Sequence, residues 1–122
     1  TRTFFIGEKI EEKWQEIYNI VQTAQKKAVN AVEPGIKAAE IDSIARNYIK
    51  EKGYGEYFGH GLGHGVGLEV HEAPTVSPNS KSVLEAGMTI TIEPGIYLPG
   101  EGGVRLEELI LVTEKGSQIL TR

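Results

Sequence analysis

The chain has no cysteine and only one aspartate, Asp42, among 17 acidic residues. Without cysteine there is no disulfide framework and no thiolate, which excludes a stapled scaffold and thiol catalysis. There is no basic run, and 13 Lys and Arg against 17 Asp and Glu leave a net charge of −4. That balance argues against nucleic acid or an anionic membrane as partner. No apolar stretch approaches the roughly 20 residues that span a bilayer, and no secretory leader is recognisable. Repeats and low-complexity segments are absent. So are a dinucleotide-binding G-x-G-x-x-G, a phosphate-binding G-K-[ST] and a nucleophilic G-x-S-x-G. The 122 residues fit one globular domain at most, with a core of moderate size. A reducing cytoplasm is the expected location.

The chain is rich instead in one stretch, GHGLGHGVGLEVHE, from Gly59 to Glu72, which holds all three histidines, His60, His64 and His71. Glycine at every second position from Gly59 to Gly67 strips one face of an extended segment and lets other groups approach the backbone. The start of the chain, TRTFFIG, has no initiator methionine, and Thr3–Ile6 reads as a strand already under way. Ile10, Trp14, Ile17, Val21, Ala24, Ala28 and Ala31 then recur at helical spacing, with Glu8, Glu11 and Glu12 in the first turns and Pro34-Gly35 as the stop. A second helix carries Ile41, Ile44, Ala45, Tyr48 and Ile49 on one face, capped by Gly53.

Beyond the histidines, Val66, Leu68 and Val70 alternate as in a strand, and residues 73–82, with Pro74 and Pro78, read as a loop. Glu85-Ala86-Gly87 is a turn. In MTITIEPGIYL, Met88, Ile90 and Ile92 share one strand face and Thr89, Thr91 and Glu93 the other. Gly102-Gly103 is another turn, VRLEELILVTE is the longest strand, and residues 118–120 form a last short one.

Three histidines among glycines suit a metal or substrate site, since imidazole is a common ligand of Zn, Mn, Co and Fe. HGLGH is too glycine-rich for a helix and lacks the glutamate of H-E-x-x-H, so His60 and His64 are not expected to share an ion. In an extended segment His64 and His71 fall on opposite faces and serve different roles. Glu93 and Glu107 stand within strand-like segments, where a carboxylate is costly to bury without a partner. Each reads either as a solvated charge, with Arg105 as a structural partner of Glu107, or as a metal ligand beside a histidine.

The three motifs GHGLGHGVGLEVHE, ITIEPGIY and GGVRLEE, in this order and spacing, resemble the Xaa-Pro peptidases, proline dipeptidase and aminopeptidase P, of the pita-bread metallopeptidase superfamily. The resemblance runs over essentially the whole chain and implies an α+β, partial pita-bread fold, with two helices packed on a curved antiparallel sheet. It implies hydrolysis of Xaa-Pro peptides by a hydroxide bridging two divalent ions, manganese first, with cobalt, zinc or iron as alternatives. It implies His64, Glu93 and Glu107 as metal ligands, with Glu93 also handling protons. His71 matches a group that stabilises the tetrahedral intermediate, and His60 and Arg105 match groups that contact substrate.

One departure matters. The family's two aspartate ligands precede the segment resembling TRTFFIG and have no counterpart here; Asp42, on a helix, does not replace them. Residues 1–122 are therefore expected to be the C-terminal portion of a pita-bread catalytic domain without its N-terminal half. Alone, the chain is expected to bind at most one ion weakly, to be inactive and to associate as a homodimer. Two other readings remain: a non-catalytic pita-bread interaction module, weighed against by the retained ligand set, and methionine aminopeptidase.

Overall fold

The first helix begins later than the spacing predicts. In the computed structural model, which describes residues 1–122, helix α1 spans Glu12–Ala31. Gly7 turns the chain with φ of 117°, and no Ser, Thr, Asp or Asn stands between Gly7 and Glu12 to cap an earlier turn. Glu8 and Ile10 thus precede the helix, and Ile10 is exposed. From Ile17 onward the stripe is as expected, with Ile17, Val21, Ala24 and Ala28 fully buried. Helix α2 spans Ala38–Glu51 and buries Ile41, Ala45 and Ile49. Gly53, at φ of 90°, closes it: its N–H donates to the Lys50 carbonyl and the Tyr54 N–H to Ile49, at 3.0 and 3.1 Å. Those two bonds make a Schellman cap, and its left-handed residue favours glycine.

Seven strands follow: β1 Gly63–Gly65, β2 Glu72–Val76, β3 Thr89–Ile92, β4 Gly95–Leu98, β5 Gly102–Arg105, β6 Glu108–Thr113 and β7 Gly116–Ile119. Five form an antiparallel sheet in the order β2-β1-β3-β6-β7, and β4 and β5 form a separate hairpin. One continuous core joins Ile17, Ile41 and Ile49 of the helices to Ile90, Ile92 and Ile110 of the sheet and Ile96 and Val104 of the hairpin. The expected two helices on an antiparallel sheet are what the chain forms.

Several strand assignments need correction. Residues 3–6 join no ladder; Phe4 and Ile6 are exposed. The opening segment is tied to the β5–β6 junction by isolated bonds, the Glu107 N–H to the Thr1 carbonyl at 3.1 Å and the Thr3 hydroxyl to the Arg105 carbonyl at 2.9 Å. Residues 66–70 are not a strand. They form the turn between β1 and β2, where the Gly67 N–H donates to the Glu69 carbonyl and the Glu69 N–H to the Glu72 carboxylate, leaving Leu68 and Val70 in solvent. The segment read as a loop from residue 73 begins inside β2. The long strand VRLEELILVTE is broken at Leu106-Glu107, where the chain passes from the β4–β5 hairpin into the main sheet. The break mirrors the one at Glu93-Pro94, where proline has no N–H to continue a ladder; Leu106 N–H donates to the Pro94 carbonyl. The last strand starts at Gly116 rather than residue 118.

Candidate metal centre

Glu93 and Glu107 owe their closeness to strand register. The β3–β6 ladder runs from Thr89 opposite Leu111 to Ile92 opposite Glu108, so one rung further out brings Glu93 opposite Glu107. Both therefore lie just past strand ends, not within strands as the sequence reading had them. Like charges facing each other across a ladder repel, so this rung needs a cation.

His64 reaches the same place from β1. The Gly65–Ile90 pairing joins β1 to β3, reinforced by the His64 N–H donating to the Thr91 hydroxyl at 3.1 Å and the Thr89 hydroxyl donating to the Val66 carbonyl at 2.7 Å. Gly63 allows the close approach: a Cβ there would sit 1.8 Å from the Thr91 carbonyl oxygen. The result is a cluster in which donor atoms of His64, Glu93 and Glu107 all lie within 4.8 Å of one another.

The tautomer of His64 sharpens the picture. Its Nδ1 lies 2.9 Å from the Gly65 carbonyl, an acceptor only, so Nδ1 carries the hydrogen. Nε2 then faces Glu93 Oε1 at 3.0 Å, a separation that a cation, whether a proton or a metal ion, bridges. An imidazole anchored through its other nitrogen to a backbone carbonyl is typical of a metal ligand. With bonds of about 2.1 Å, adjacent ligands of an octahedral ion stand about 3.0 Å apart and opposite ones about 4.2 Å. The donor set fits one divalent ion after shifts of a few tenths of an ångström.

The surroundings are charged and open. A cleft of about 620 Å³ is lined by His60, His64, His71, Glu72, Glu93 and Arg105 among others, with a single apolar residue. The His64 and His71 rings lie 4.2 Å apart between centroids. The expectation that they fall on opposite faces is thus corrected: the residue 66–70 turn folds His71 back over the site. His60 stands apart from the cluster, as expected. Its Nδ1 donates to the Gly61 carbonyl at 2.7 Å, so its Nε2 accepts the Tyr97 hydroxyl at 2.7 Å. Arg105 lies 4.0 Å from Glu93; the phenol of Tyr97 and then Glu93 and Glu107 push its pKa up against the opposing effect of burial. Burial pushes Glu107 up, but the Thr1 hydroxyl, the terminal ammonium and Arg105 outweigh it and hold the carboxyl below its ordinary value. Glu107 is thus anionic at neutral pH.

Two supports escaped the sequence reading. Thr91, whose hydroxyl donates to Glu93 at 2.9 Å, was visible in principle, two residues away on the same strand face. The buried ion pair of Asp42 with Arg46 was not. Asp42 is fully buried and accepts Arg46 Nε at 2.7 Å, Arg46 Nη2 at 3.0 Å and the Leu62 N–H at 3.0 Å. Arg46 also donates to the carbonyls of Phe58 at 2.9 Å and His60 at 2.7 Å. Helix α2 thereby anchors the beginning of the histidine stretch.

The chain as a whole matches known proteins. The chain is 62% identical over 122 residues to the Xaa-Pro dipeptidase of Pyrococcus horikoshii, covering 100% of this chain and 34% of that protein. The solved prolidase from Pyrococcus furiosus superimposes with a TM-score of 0.97 at 58% identity, over 99% of this chain and 36% of the other. Methionine aminopeptidase from Rickettsia prowazekii, at 23% identity and a TM-score of 0.84 over 99% of this chain and 57% of that one, shares the fold alone. The architecture is a partial pita-bread fold. The chain spans about a third of the length of the curated relatives it matches. The model of metallopeptidase family M24 covers residues 1–114, and the chain belongs to that family.

Proposed function

We propose that this chain supplies the C-terminal portion of the catalytic domain of a metal-dependent Xaa-Pro dipeptidase. The observation that carries the reading is the convergence of His64, Glu93 and Glu107 within 4.8 Å, in a chain 62% identical to a protein named Xaa-Pro dipeptidase. His64, Glu93 and Glu107 would hold divalent metal, manganese first, together with two upstream aspartates. When bound, such ions supply Lewis acidity, lowering the pKa of water and polarising the scissile carbonyl.

The side chains do the rest. Arg105 faces the cleft as a permanent cation and suits a carboxylate of the substrate. His60, fixed by Tyr97 and the Gly61 carbonyl, contacts the peptide beside it. His71 lies over the cluster and donates to the oxygen that becomes negative as water adds to the scissile carbonyl. Glu93 accepts the proton released by that water and delivers it to the proline nitrogen as the C–N bond breaks. The protein acts in the cytoplasm as a homodimer. The 122-residue chain alone, with three of five ligands, is inactive.

The test is manganese-dependent hydrolysis of Ala-Pro and Met-Ala by the chain joined to an upstream aspartate segment, with the 13.4 kDa chain alongside. Turnover of Ala-Pro by the longer protein only is the expected result. Preference for Met-Ala would point to a methionine aminopeptidase, and binding without hydrolysis to a non-catalytic module. Activity of the short chain by itself would overturn the account of the ligands.

A further inference from the structure

Glu107 lies outside the strand ladders, and its N–H has a single backbone partner, the Thr1 carbonyl at 3.1 Å. It sits between β5 and β6, one rung beyond the last ladder pair, and a carboxylate that must hold one place there needs its main chain fixed otherwise. The fixing comes from behind. The Arg2 guanidinium donates through Nη1 to the Glu107 carbonyl in a short hydrogen bond. Through Nη2 it donates to the Glu108 carboxylate at 3.2 Å and the Thr121 carbonyl at 3.0 Å.

Glu108 is 4% exposed, yet no part of the chemistry proposed above uses it. Its other oxygen accepts Arg122 Nε at 2.9 Å, and the Thr121 hydroxyl donates to the oxygen that Arg2 holds. Side chains alternate along extended backbone, so Glu107 faces His64 and Glu93 while Glu108 faces the rear. One planar guanidinium thus locks the carbonyl of Glu107 to a buried carboxylate on the opposite side.

We infer that Arg2 and Glu108 are positioning residues for the Glu107 carboxylate, so that the pair sets metal affinity without touching the metal. The inference rests on Glu107 being a ligand, as proposed above. Outer groups that orient metal ligands commonly change affinity by about 10–100-fold when removed.

The experiment is isothermal titration of the intact metal-free protein with Mn²⁺, paired with thermal unfolding in chelator. The variants are Arg2→Met, Arg2→Lys, Glu108→Gln, Glu107→Gln and, as a remote cavity control, Val112→Ala. Arg2→Met and Glu108→Gln are expected to weaken Mn²⁺ binding by about tenfold, whereas Val112→Ala lowers the unfolding temperature at least as much with Mn²⁺ affinity unchanged. Arg2→Lys recovers only part of the affinity, because an ammonium cannot span three acceptors in one plane. If Glu107→Gln weakens binding but Arg2→Met and Glu108→Gln do not, the positioning role is wrong and the ligand assignment stands. If Glu107→Gln itself leaves Mn²⁺ binding unchanged, both fall. An affinity loss in Val112→Ala equal to that of Arg2→Met would also overturn the inference, by reducing it to general stability.

Discussion

Replacing Asp42 tests how the histidine stretch is anchored. Asp42 is fully buried, and Arg46 is about a quarter exposed. Removing one member of a buried pair typically costs about 3–5 kcal/mol, because the other is left uncompensated. For Asp42→Ala the abandoned guanidinium reaches water, so the low end, about 3 kcal/mol, applies. For Arg46→Met the abandoned carboxylate keeps only the Leu62 N–H, and the cost moves toward about 5 kcal/mol. An unfolding entropy of about 2.1 cal/mol/K per residue gives about 0.26 kcal/mol/K for this chain, so the Asp42→Ala loss lowers Tm by about 12 °C. The double variant loses the anchoring of the Phe58 and His60 carbonyls but leaves no orphaned charge. It should be more stable than the sum of the singles by about 2 kcal/mol or more. Urea unfolding of the four proteins measures this cycle. An Asp42→Ala loss below about 1 kcal/mol, or strict additivity, would refute the anchoring argument.

Gly63→Ala places a methyl against the Thr91 carbonyl and forces β1 from β3; urea unfolding should show a loss of about 3 kcal/mol, and unchanged stability would refute the close-approach argument. Gly53→Ala keeps the helix but strains its left-handed cap, lowering stability by about 1 kcal/mol in the same assay. In Glu108, burial raises the pKa, but the Thr121 hydroxyl, Arg122 and Arg2 lower it more. Its contribution is therefore complete above the unfolded carboxyl value of about 4.3 and lost as pH falls through the lower folded value. Urea midpoints between neutral and acid pH should fall less steeply in Glu108→Gln than in the parent, and parallel curves would refute this. Titrating the 122-residue chain with Mn²⁺ should give one weak site at most, with dimers in light scattering; two tight sites, or a monomer at high concentration, would refute those two expectations.

What was legible in the sequence was whatever depends on local period. The stripes of α1 and α2 and the alternation of β3 follow from residues three, four or two apart, and the structure keeps them. The same rule misled at Val66, Leu68 and Val70, because alternation makes a strand only where another strand pairs with it, and here the chain turns on itself. The expectation that His64 and His71 fall on opposite faces failed for the same reason, the two rings lying 4.2 Å apart. Glu93 and Glu107 were picked out as unusual carboxylates, but their facing positions come from β3–β6 register, which neither residue shows alone. Burial of Glu108 depends on Arg2, 106 residues away, and the Tyr97 contact with His60 on a partner 37 residues away; no local pattern carries either.

The register that sets Glu93 opposite Glu107 has an energetic corollary. Folding the ion-free protein brings two carboxylates and an imidazole to one spot, where Arg105, the Thr1 ammonium of this chain and Arg2 at the Glu107 carbonyl offset the gathered negative charge. The native state thus presents a preassembled set of donors that the unfolded chain, with those groups dispersed, does not. By mass action an ion bound only by the native state raises stability with its concentration. Manganese should act first as a folding ligand of this chain, deepening the native basin whether or not a peptide is ever cut.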